Sequence, residues 1–322
     1  MSRLFLSVGL AVACALLAFP RACAAVTTGG SKNVDVALVA EGTSIRPGER
    51  FRVGLRMKMK KGWHTYWKQP GDAGLPLRVE WTLPPGFTAG PIEWPTPERI
   101  PTGNLMSYGY ERDVLLAVKM TPPANLDPGP VVIAGQFDWL ECRDVCLAGS
   151  ARLELTLQVR PEHPRPGPAA RLFSDARARS PRLPEGWSLA SVAGPRAIEL
   201  SFRPPPGVSP RGGYFFVDRP LVAEHAAPQG FERVSGSYRL TIVPAENAPA
   251  PPRRLTGVLV LEGIPRSKGN AVQVSVNATP GDPAPAPAQA RHTLPAIPLY
   301  AILMVLVSLA FAILARRRAK HP

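Results

Sequence analysis

Apolar residues recur at every second position through most of the chain. In "FRVGLRMKM" Phe51, Val53, Leu55, Met57 and Met59 fall on one side, and "LRVEWTL" places Leu77, Val79, Trp81 and Leu83 likewise. "RLELTLQV" repeats the alternation with Leu153, Leu155, Leu157 and Val159. Period two is the signature of a half-buried strand, because successive side chains leave a strand on opposite faces. With "VDVALVA", "DVLLAVKM" and "PVVIAGQFDW" these segments predict about six strands over residues 34 to 159, enough for a β-sandwich of immunoglobulin-like size.

A second strand series, "AIELSF", "GYFFV", "YRLTIV", "LTGVLVLE" and "AVQVSV", runs from about residue 187 to 276 and predicts a second sandwich. Between the series, "RPEHPRPGPAA" is rich in proline and charge and reads as a linker. The expected fold is all-β: two immunoglobulin-like β-sandwich domains plus a single C-terminal transmembrane helix. Its parts are a signal peptide (1–25), a first sandwich (26–160), a linker (161–170), a second sandwich (171–277), a Pro/Ala-rich spacer (278–293), the helix (294–315) and a basic tail (316–322).

The ends carry that topology. Arg3, the uncharged run Leu4 to Phe19 and the small residues Ala22-Cys23-Ala24 suit an export signal. Residues 294–315 hold no charge and would span about 33 Å as a helix at about 1.5 Å per residue. Arg316, Arg317, Arg318 and Lys320 follow, so the tail is expected in the cytoplasm and the body outside a bacterial inner membrane, in the periplasm. The spacer "PGDPAPAPAQA" is expected to be extended and to hold the body off the bilayer.

Composition narrows the function class. Of the residues, 45% are hydrophobic and 19% charged, which suits folded domains. The net charge is +14; setting aside two arginines of the leader and four basic residues of the tail leaves +8. Those charges are scattered, so nucleic acid is not expected as a partner.

Cleavage of the leader removes Cys14 and Cys23, leaving Cys142 and Cys146 in "WLECRDVCLAGSA". Outside the membrane such a pair is expected to be a disulfide, with the chain folding back between the two. Three readings stay open. A staple is one, although a five-residue ring confers only about 2 kcal/mol against about 3 for fifteen residues. An exchangeable disulfide is the second. A copper site is the third, built from the two thiolates, His64 and Met57, Met59, Met106 or Met120, without a four-ligand spacing to support it. Arg143 and Asp144 oppose each other beside the pair and do not mark a nucleophile.

Four stretches, "GWHTYWKQPGDAGLP", "GPIEWPTPERIP", "YGYERDVLL" and "WLECRDVCLAGSA", resemble the amino-terminal periplasmic region of the DsbD family of thiol:disulfide interchange proteins, in its ScsB-related branch. The resemblance covers residues 34 to 160 well and the second strand series loosely. It implies a thiol:disulfide oxidoreductase component whose disulfide takes electrons from a membrane-embedded donor and passes them to periplasmic thiol:disulfide proteins, without a cofactor or metal. Cys142 and Cys146 fall where that pair is expected, with a shorter spacing than in the best-known members. His64, Tyr66, Trp67, Tyr108 and Tyr110 are candidates for a partner or shielding surface. Family members usually continue into a multi-helix module and a thioredoxin-like domain with its own CxxC. Neither follows here, so the expected donor is a separately encoded protein of the DsbD/CcdA type. A copper-tolerance accessory protein and an inert interaction module are the alternatives.

Overall fold

The computed structural model describes residues 27–265 and 269–284. The expected leader, transmembrane helix and tail, and most of the spacer, lie outside the described residues. Among those described, no helix is long and apolar enough to cross a membrane.

The described residues are mostly strand, with one short helix. The first series comprises β1 (Thr28–Gly30), β2 (Val34–Ala40), β3 (Ser44–Ile45), β4 (Phe51–Met59), β5 (His64–Gly71) and β6 (Arg78–Thr82). It continues with β7 (Thr88–Glu93), β8 (Glu98–Thr102), β9 (Leu105–Tyr110), β10 (Asp113–Thr121), β11 (Gly129–Cys142) and β12 (Cys146–Val159). One five-stranded sheet has the order β1-β2-β4-β10-β7. The other runs β3-β12-β11-β5-β9-β8, with β6 also paired to β11. Their facing rows, Val36, Leu38, Leu55, Met57, Val114 and Leu116 against Ile133, Phe137, Leu153, Leu155 and Leu157, share one core. The alternation of β4 and β12 therefore does what period two predicts: one face is buried and the other solvated.

A helix, α1 (Ala170–Arg179), follows. Phe173 and Ala176, three residues apart on one face, pack on Leu115 and Ala117 of β10, while Arg177 and Arg179 in the last turn complement the helix dipole. The proline-rich segment before it is strapped to the first β region: Arg160 N–H donates to Ile45 O, Thr43 N–H to Arg165 O, and Gly167 N–H to Glu41 O. By packing, residues 160–179 go with the first β region.

The second series is β13 (Ser188–Ala193), β14 (Ile198–Arg203), β15 (Gly212–Val217), β16 (Gly230–Val234), β17 (Ser237–Ile242), β18 (Arg254–Glu262) and β19 (Ala271–Pro280). These form one hydrogen-bonded path, β15-β18-β19-β13-β14-β17-β16, in which β13 and β19 pair in parallel. Its arms close on a core of Ile198, Leu200, Phe202, Phe215, Leu240, Leu255, Leu259 and Val274.

β15 and β18 explain how the two regions join. Phe215, Val217, Leu255, Leu259 and Leu261 point into the second core, while Tyr214, Phe216 and Val258 point into the first. A strand buried on both faces has no polar side, which is why "YFFV" and "VLVL" read as unbroken apolar runs.

Candidate functional site: the bridged hairpin tip

β11 and β12 pair without interruption from Gly129 opposite Val159 to Cys142 opposite Cys146. Three exposed residues, Arg143, Asp144 and Val145, close the turn. Cys142 and Cys146 are disulfide-bonded across the last rung, with Cα atoms 4.2 Å apart. A hairpin turn folds the chain back between them.

The two sulfurs have different surroundings. Cys142 follows the core row Phe137, Trp139 and Glu141 but points to the opposite face, where β5 runs alongside with His64 directly across from it. It is only 6% exposed. Cys146, on the outer strand, is exposed. Its chain neighbours Val145 and Leu147 are 66% and 43% exposed, so the hairpin tip presents apolar side chains to solvent.

Tyr66 partly covers that sulfur, its hydroxyl 3.4 Å from Cys146 Sγ. A bridged sulfur carries no hydrogen, so the phenol is the donor. Burial pushes the Tyr66 pKa up and keeps the hydroxyl protonated. Tyr66 is backed in turn by the β5–β6 loop, Asp72 to Leu77. Gly74 there has φ +104°, and a Cβ on it would lie 2.2 Å from the Tyr66 ring, so only glycine lets the loop lie on the ring.

His64 stands edge-on to Tyr66, ring centroids 5.2 Å apart. Burial lowers its pKa, and its Nε2 is buried without a hydrogen-bond partner. The imidazole is therefore neutral beside Cys142. The Arg143 guanidinium lies over the Trp63 ring at 5.4 Å and pairs with Asp144 at 2.8 Å, so the turn's charges offset each other.

Glu141, the residue before Cys142, is the site feature that sequence reasoning missed. Its carboxylate is 1% exposed and accepts from Asn33 Nδ2 at 2.9 Å, from Trp139 Nε1 at 3.1 Å and from the Ser31 hydroxyl. A glutamate in phase with Phe137 and Trp139 was the available signal, because a polar residue on a core row needs partners.

The five aromatic candidates divide. His64 and Tyr66 gather at the bridge. Trp67, Tyr108 and Tyr110 point to the other side and are enclosed: Tyr110 donates to Pro95 O at 2.8 Å, and Tyr108, fully buried, shares a 2.8 Å hydrogen bond with Tyr214. The edge of Trp67 meets Tyr108 and Phe216. These three form an inner wall between the β regions, not a surface that a separate protein reaches. Met57, Met59, Met106 and Met120 are buried in the core, and among the described residues no three His, Cys, Asp or Glu side chains gather as a metal site.

Residues 35–158 match the family described as thiol:disulfide interchange protein DsbD, N-terminal. Among solved structures, the N-terminal periplasmic domain of ScsB from Proteus mirabilis aligns with a TM-score of 0.57 at 18% identity, covering 79% of this chain and 95% of that one. That coverage carries the likeness of fold beyond residue 158, into the second β region. Spo0M, a sporulation control protein from Bacillus subtilis, covers 76% of this chain and 90% of its own at 11% identity, with a TM-score of 0.21 that supports no argument. No curated protein matches the chain. Residues 35–158, with the bridged hairpin as their tip, are a DsbD/ScsB-like amino-terminal domain.

Proposed function

We propose that this chain is a thiol:disulfide interchange protein that works by opening and closing the Cys142–Cys146 bridge. The observation that carries the reading is an exposed Cys146, flanked along the chain by exposed Val145 and Leu147 and bonded to a buried Cys142. Exchange needs one sulfur that a foreign thiolate reaches in line and another that leaves.

A partner thiolate attacks Cys146 Sγ; the Cys146–Cys142 bond breaks, and Cys142 leaves as a thiolate that takes a proton from solvent. The partner's second thiolate then attacks the partner sulfur of the mixed disulfide and frees Cys146. Two electrons and two protons have moved to this chain, and the partner is oxidised. In the reverse direction the Cys146 thiolate attacks an oxidised partner, and Cys142 closes the ring as the reduced partner leaves.

The donor in this reading is a separately encoded membrane protein of the DsbD/CcdA type, and the acceptors are periplasmic thiol:disulfide proteins. Residues 294–315 anchor a periplasmic body of two immunoglobulin-like sandwiches, after a leader over residues 1–25. Support comes from the family match and from the apolar and charged sequence at the ends.

Trapping tests it. In the full chain carrying Cys14→Ser and Cys23→Ser, the wild-type bridge should oxidise a reduced thioredoxin-fold dithiol protein. Mixed with the oxidised form of that partner, Cys142→Ser should accumulate a covalent one-to-one adduct, its Cys146 thiolate attacking the partner disulfide and releasing one partner thiolate, and Cys146→Ser should form none. Unchanged exchange in both variants would sink the proposal.

A further inference from the structure

The joint between the β regions contains a buried polar cluster that sequence reasoning did not anticipate. His225, in the connection from β15 to β16, is 7% exposed. Its Nδ1 lies 2.8 Å from Asp72 Oδ1 and its Nε2 3.1 Å from Gln69 Nε2. Gln69 Oε1 accepts from Gly71 N–H at 2.7 Å, which leaves the Gln69 amide nitrogen to donate to His225. The network so assigns a proton to His225 Nδ1, which donates to Asp72. The second Asp72 oxygen accepts from Met106 N–H at 2.7 Å, and Tyr214 hydroxyl donates to His225 O at 3.0 Å.

Asp72 is the first residue of the loop that backs Tyr66. One of its carboxylate oxygens is held by β9 of the first region and the other by His225 of the second. Two residues on, Gly74 lies on the Tyr66 ring, and the Tyr66 hydroxyl touches Cys146 Sγ. A continuous line of contacts thus runs from residue 225 to the exposed sulfur.

We propose that His225 is a positioning residue for the bridge: through Asp72, the second β region sets the loop that keeps Tyr66 over Cys146, and so sets how readily a thiol reaches that sulfur. The inference rests on the exchange reading above and gives the second β region a part in it. Losing the anchor lets the loop lift from Tyr66, and the sulfur is uncovered without any change at the cysteines.

The test uses the full chain with Cys14→Ser and Cys23→Ser, oxidised, and follows reduction of the bridge by dithiothreitol under pseudo-first-order conditions. His225→Ala is expected to raise the rate about five- to ten-fold, the worth of one buried hydrogen-bonded anchor. His225→Asn, whose amide can still donate to Asp72, should return it to near the wild-type rate. Asp72→Ala cuts the same contact from the loop side and should raise the rate even if His225→Ala fails to fold. Tyr66→Ala should raise it by itself, and adding His225→Ala should then change nothing more, since both act on one shield. Wild-type rates in His225→Ala and Asp72→Ala, or an additive double variant, would overturn the inference. Dithiothreitol needs no protein docking, so its rate is independent of partner recognition. The exchange reading fails separately, if a reduced thioredoxin-fold protein cannot open the wild-type bridge.

Discussion

Cys142 and Cys146 face each other across one rung, yet burial makes them unequal. Cys146 on the outer strand is exposed, whereas Cys142 is buried next to β5, across from the neutral imidazole of His64. After reduction, Cys146 should be alkylated by iodoacetamide about ten-fold faster than Cys142, read by peptide mass over time. Equal rates would remove the asymmetry on which the order of attack depends. Glu141 makes a second prediction. Glu141→Ala strands three donors in the interior and should cost about 2–4 kcal/mol in urea unfolding, because buried unsatisfied groups carry their full desolvation penalty. His64 makes a third. Its folded pKa is lowered by burial, so below about pH 6.5 the unfolded chain takes up a proton that the folded chain resists. Its contribution is complete above that pH and is lost as pH falls toward the folded pKa. Urea midpoints from pH 7.5 to 5 should therefore drop more in wild type than in His64→Gln; parallel profiles would contradict this.

The strands divide into those whose sequences announce them and those whose sequences do not. β4, β10, β11 and β12 carry strict alternation or long apolar runs, and the structure places them as read. β7, β8 and β9 were not legible: "TAGPIE", "ERIPT" and "LMSYGY" contain proline or glycine and are held by neighbours rather than by their own pattern. α1 was missed because its apolar stripe is only Leu172, Phe173 and Ala176 among arginines, and it forms because β10 offers an apolar patch to cover. The cysteine pair was visible, but its setting was not. The hairpin tip depends on close approaches that only glycine permits: a Cβ at Gly149 would come within 2.2 Å of the Trp139 ring. Gly74→Ala meets both a clash with Tyr66 and a left-handed φ, and should destabilise the chain by about 1–3 kcal/mol while speeding reduction of the bridge. Thermal unfolding and dithiothreitol kinetics together check it.

The two β regions are one packed body along β15 and β18, and an apolar strand pair with two buried faces is what ties them. Trp67, Tyr108 and Tyr214 surround Phe216 at ring distances of 6.4, 4.8 and 4.9 Å. Phe216→Ala should cost about 3–5 kcal/mol and split a single unfolding transition into two, the second region melting first. The aromatic character of residues 62–67 and 108–110 was plain in the sequence, but its purpose was not. His225 and Asp72 are 153 positions apart and share no local pattern, so only the folded chain brings them together.

Whether the Cys142–Cys146 bridge is made to be opened is measured most directly by its reduction potential. Equilibrating the purified full chain, with Cys14→Ser and Cys23→Ser, against glutathione redox buffers and counting alkylated thiols by mass gives the value. An exchangeable pair should fall at about −200 to −270 mV. A potential below about −300 mV would mark a structural bridge and contradict the account.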